Sequence, residues 1–116
     1  MQRLQELTEE LVKVVNQAND RYHLARETGE EGDFYKEVKP FADEAKRLSD
    51  EWEEEVMRSF QTRRFKHIHL SQVKATIENI ELLSVQAFFP KASYTRFRNY
   101  VESTLFVLQQ LLKELK

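Results

Sequence analysis

The densest run of side chains able to do chemistry is Arg63-Arg64-Phe65-Lys66-His67-Ile68-His69. Guanidinium and ammonium groups pair with phosphate oxygens, and a helix start predicted at Ser71 adds free backbone N–H donors. Arg63, Arg64, Lys66 and His69 are therefore the candidate residues for binding an anion or RNA phosphate. The competing use is structural. These cations follow a helix predicted to end near Phe60, where positive charge opposes the helix dipole and neutralises Glu53, Glu54 and Glu55.

Metal and acid–base chemistry find less material. A di-iron site in a helical bundle needs Glu-x-x-His on two helices plus carboxylates from two more, all facing inward. The nearest match, Asp20-Arg21-Tyr22-His23, occurs once, and Asp20 and His23 fall on the outward side of their helix. The three histidines are His23, His67 and His69. The first lies near the end of one helix and the others near the opposite end of the next, roughly 25–30 Å apart at 1.5 Å per helical residue. Ligands of one ion sit about 2 Å from it, so these three cannot share one. With Cys 0 there is no thiolate, thiol nucleophile or disulfide. Asp50, Glu51, Glu53, Glu54 and Glu55 form an acidic run on a helix flank, which offers no cleft for paired catalytic carboxylates. No catalytic residue, metal or cofactor is expected.

The elements that must position these residues are helical. The chain has 116 residues, 41% hydrophobic and 33% charged, with Gly 2 and Pro 2. Too few turn residues remain for a sandwich or barrel, and one domain over 1–116 is expected. Residues 1–33 and 34–60 are net acidic while 61–70 and 91–116 are net basic, so the two halves attract. No secretory leader or membrane span is legible, which makes a cytoplasmic location and no membrane partner the expectation.

Apolar spacing gives four helices. Leu4, Leu7, Leu11, Val14, Val15, Ala18, Tyr22 and Ala25 line the first, closed by Thr28-Gly29. Asp33 caps the second, whose phase runs Phe34, Val38, Phe41, Ala45, Leu48, Trp52, Val56, Phe60. Pro40 either starts its main part or kinks it. Trp52 reads as core, with an indole N–H that needs a partner. Ser71 caps the third helix, lined by Val73, Ile77, Ile80, Leu83, Ser84 and Ala87 and ended by Phe89-Pro90. Ser93 caps the fourth, lined by Tyr94, Phe97, Val101, Thr104, Leu105, Leu108, Leu112 and Leu115. Short loops between them imply an all-α, antiparallel up-down-up-down four-helix bundle.

Some apolar residues are out of phase. Leu82, Val85 and Phe89 fall away from the core side of the third helix, and Phe106 points opposite to the stripe on the fourth. A second apolar stripe on neighbouring helices points either to unusually deep burial or to an exposed patch for a partner or a homodimer.

Two family likenesses bear on function. Asp20-Arg21-Tyr22, Lys39-Pro40, Trp52, Arg63-Arg64-x-Lys66-x-x-His69-x-x-Gln72, Arg96-Phe97 and Glu102-Ser103 together resemble the YppE-like family of small bacterial proteins, over about residues 8 to 113. The chain departs from that pattern at Phe65, where a proline can stand, and at His67, where an aromatic can. The resemblance implies a four-helix bundle from low-GC Gram-positive bacteria, with no assigned activity or cofactor. Arg63 or Arg64 with His69 also resembles the short Arg-x(4–6)-His motif of HEPN ribonucleases, in which such a pair can stabilise a phosphorane and move a proton. The expected function is a non-enzymatic protein-interaction or scaffold module, with a protein partner or a second copy meeting Leu82, Val85, Phe89 and Phe106. The alternative is an anion- or RNA-binding protein using the 63–69 connection.

Overall fold

A computed structural model describes residues 2–116. Four helices carry the chain: α1 (Gln2–Thr28), α2 (Lys39–Phe60), α3 (Leu70–Gln86) and α4 (Tyr94–Leu115). Each helix packs on the next and α4 closes against α1, giving the antiparallel bundle that the short connections require. The bundle is 47 Å long and 26 × 21 Å across. One end holds both termini and the 61–69 connection; we call it the terminal end. The other, the distal end, holds the loops around 29–33 and 87–93.

All eight apolar positions expected on α1 are buried, and Thr8 joins them. Opposite Thr8 the fully buried Trp52 finds its partner: the indole N–H donates to Thr8 Oγ1 at 3.0 Å. Thr8 in turn donates to the Leu4 carbonyl at 2.7 Å. The two glycines serve different needs. Gly29 ends α1 at φ +74°, where a side chain is strained. Gly32 passes so close to Phe88 that an added Cβ would lie 2.7 Å from the Phe88 ring, and its N–H donates to the Phe88 carbonyl at 3.0 Å.

At Pro40 the structure takes the first of the two expected forms: a short helical segment over 34–38 leads into the main part of the helix, with Pro40 in the first turn of α2. Phe34–Val38 make a π-helical turn that runs straight into α2, with Asp33 accepting from the Lys36 N–H at 2.8 Å as its cap. Proline donates no hydrogen bond and its ring crowds the carbonyl four residues back, and the wider turn before Pro40 makes room for it. The wider turn also breaks the helical phase. Phe34, expected in the core, is exposed at 56%, and Tyr35 at 78%.

Three further expectations need correction. His69, not Ser71, sits at the N-cap of α3; its N–H donates to the Gln72 side chain at 2.7 Å. On α4 the buried stripe is Phe97, Val101, Thr104, Val107, Leu108 and Leu111. Tyr94, in the first turn of α4, stays exposed, while Leu112 is only half-buried. Lastly, Phe65 and Ile68 are not part of a wholly polar connection. Both are buried and plug the terminal end of the core, with Phe65 edge-on to Phe60 at 5.7 Å.

Candidate functional site

The 61–69 connection is built around a residue that its own sequence does not contain. Glu114, in the last turn of α4, accepts from the backbone N–H of Lys66 at 2.5 Å and of His67 at 2.8 Å. The Arg63 guanidinium donates to the Glu114 carbonyl at 3.0 Å and lies over the Phe65 ring at 4.8 Å. Burial alone would raise the Glu114 pKa. The two amides outweigh it, with help from the nearby charges of His67 and Arg63, and hold the carboxyl below its usual range. A chain with no regular secondary structure is thus pinned to the end of α4.

With Phe65 and Ile68 turned inward, the cations turn outward. Arg63, Arg64, Lys66 and His69 are exposed and share one open groove, whose apolar side is formed by Phe60, Ile68 and Leu70. The structure therefore brings the four basic candidates together. It also separates them by role. Arg63 is occupied by Glu114 and Phe65, whereas no carboxylate among the described residues pairs with Arg64 or Lys66. His69 caps the start of α3 and also lines the groove.

The apolar candidates divide. Leu82, Val85 and Phe106 are exposed at 42%, 41% and 58%. Phe89 is not their companion: α3 has already ended at Gln86, and the turn folds Phe89 back against the core. Nor do the other three form one stripe. Phe106 borders a shallow groove with Gln72, Ala75 and Asn79 of α3, while Val85 borders another with Ala42 and Lys46 of α2. What unites them is the outer surface of α3 and α4.

A second polar knot, at the distal end, was not foreseen as an interacting set. Tyr22 stacks on Phe97 with ring centres 4.1 Å apart and donates its hydroxyl to the Ala92 carbonyl at 2.6 Å. Arg26 lies over the Tyr94 ring at 5.3 Å. Arg21 lies over Phe88 at 5.0 Å and reaches Glu37 at 3.0 Å. These contacts join α1 to the 87–93 loop, the start of α4 and the π-helical turn, so Arg21 and Tyr22 act as fasteners of that end. The sequence signal was the aromatic and cationic alternation at 21–26, but the partners lie some 70 residues away.

Among the described residues no three His, Cys, Asp or Glu side chains are grouped to hold a metal ion, and no helix is long and apolar enough to cross a membrane. His23 stands at the distal end and His67 and His69 at the terminal end.

Residues 8–115 match the model of a bacterial domain of unknown function, DUF1798. The chain belongs to that family. Uncharacterized protein YppE of Bacillus subtilis is 29% identical over 114 residues, which is 98% of this chain and 93% of that protein. The YppE crystal structure superposes with a TM-score of 0.92. A Listeria innocua protein of unknown function, 30% identical, gives 0.89 over 95% of this chain and 88% of its own. Family membership and fold are thus settled together. None of these relatives carries a described activity in its name.

Proposed function

We propose that this chain is a non-enzymatic protein-interaction module whose contact surface is the outer face of α3 and α4, with a second copy of the chain as the partner. The observation that supports it is the one-sided placement of charge. Half of the residues of α2 are ionisable, and its surface is laced with ion pairs: Arg47 with Glu44 and Glu51, Lys46 with Asp50, Lys39 with Asp43, and Arg3 of α1 with Glu51. Helix α3 carries only Lys74, Glu78 and Glu81, and the ion pairs of α3 and α4 among the described residues come down to Arg98 with Glu102. Interface cores are depleted in charge and enriched in aromatic residues. Leu82 and Phe106 stand exposed on this weakly charged face, with Val85 at its edge toward α2.

Size is compatible. Two adjacent helices of about 25 Å by about 20 Å offer a flat area of roughly 500 Å², and a contoured one near the ~800 Å² per partner of a standard interface. A twofold dimer would set the same patch against itself. Light scattering from low to high micromolar concentration tests this. A dimer mass at high concentration, lost in Phe106→Asp and in Leu82→Asp while helical circular dichroism is kept, supports the proposal. A wild-type monomer throughout refutes it.

A further inference from the structure

The groove at the terminal end is left without a role by that reading. Its chemistry is amphipathic and net cationic: Arg64, Lys66, His69 and the single acid Glu114 share it with Phe60 and Leu70. The groove's own carboxylate, Glu114, accepts from two backbone amides and keeps its negative charge, set against the three cations Arg63, Arg64 and Lys66. Among the described residues no ion pair holds Arg64 or Lys66. Leu70, in the first turn of α3, remains exposed at the edge of the groove.

Two classes of anionic partner suit such a rim, and the floor decides between them. Single-stranded nucleic acid binds by stacking bases on aromatic faces. Phe65 offers none, since it is buried and Arg63 covers its ring, which leaves His69 and the half-buried Phe60, itself packed edge-on to Phe65. A long phosphate backbone leaving the groove along α2 would also meet Glu53, Glu54 and Glu55. A short acidic peptide avoids both difficulties. Its carboxylates meet Arg64 and Lys66, and an apolar side chain between them lies on Phe60 and Leu70.

We propose that the groove formed by Phe60, Arg64, Lys66, Ile68, His69 and Leu70 binds an acidic peptide segment of a partner protein that carries an aromatic or aliphatic side chain among its carboxylates. This extends the protein-interaction reading to a second surface, and it stands whether or not the α3–α4 face self-associates.

The test is an amide NMR titration of the full chain with an end-capped synthetic peptide, Ser-Asp-Glu-Phe-Glu-Asp-Ser, at low salt. Saturable shifts confined to residues 60–70 and the end of α4 are expected. Affinity should fall about tenfold in the double variant Arg64→Glu with Lys66→Glu, and about tenfold on raising salt from 50 to 300 mM. Leu70→Ser, or a peptide with its aromatic residue replaced by Ala, should weaken binding several-fold. The same titration on Phe106→Asp should be unchanged, which separates failure here from failure at the α3–α4 face. Absence of saturable shifts overturns the proposal, as does binding that ignores the charge reversal. Tighter binding of a short oligouridylate in the same groove overturns it in favour of nucleic acid.

Discussion

Replacing Thr8 by Val isolates one buried hydrogen bond with little change of shape. Thr8 and Trp52 are both fully buried, and the 3.0 Å bond from the indole N–H to Thr8 Oγ1 is the contact that satisfies that donor. Valine keeps the volume and removes the oxygen. The indole N–H is then buried with no acceptor, which costs about 1–3 kcal/mol. For a domain of 116 residues, each kcal/mol lowers Tm by about 4 °C, so thermal unfolding followed by circular dichroism should show a fall of roughly 4–12 °C. The cavity left by a second change is removed by comparing backgrounds. In Trp52→Phe there is no N–H to strand, and Thr8 keeps its bond to the Leu4 carbonyl. Thr8→Val should therefore cost little in Trp52→Phe, giving a coupling of about 1 kcal/mol or more. An equal cost in both backgrounds refutes the reasoning, because the loss would then come from Thr8 alone.

Two further outcomes follow from the ends of the bundle. Gly32→Ala places a methyl 2.7 Å from the Phe88 ring and 2.9 Å from its Cβ, both inside contact distance. It should destabilise by about 1–3 kcal/mol in denaturant unfolding, the usual cost of overpacking. At the terminal end, the native environment holds the Glu114 carboxyl below its ordinary value of about 4.3. A depressed native pKa stabilises the fold above the unfolded pKa, and that contribution is lost as pH falls through the native one. Glu114→Gln should thus lower Tm at pH 7, and the gap to wild type should close in mildly acidic to acidic solution; a gap independent of pH would refute the role given to the carboxylate.

Helix α1 shows how much of this molecule is written locally. Its apolar residues at spacings of three and four can be buried only on one face, and every one of them is. The same periodicity fixed four helices, short connections fixed their antiparallel order, and landmarks from Asp20 to Ser103 pointed to the right family. The grouping of Arg63, Arg64, Lys66 and His69 was equally legible, since seven consecutive residues cannot lie far apart.

What the tertiary structure decided was where periodicity stops applying. Phe34 was in phase with the core of α2, but a π-helical turn ahead of Pro40 rotated it into solvent. Phe65 and Ile68 had no periodicity to mark them, and only the open end of the bundle made them plugs. Phe89 fell on an outward phase that α3 does not reach. Arg64 and Lys66 stand without an ion pair among the described residues, while Glu114, nearly fifty residues away, takes the backbone amides of their connection. Local spacing sets which face of a helix is apolar; contacts between distant residues set which charges are left for a partner.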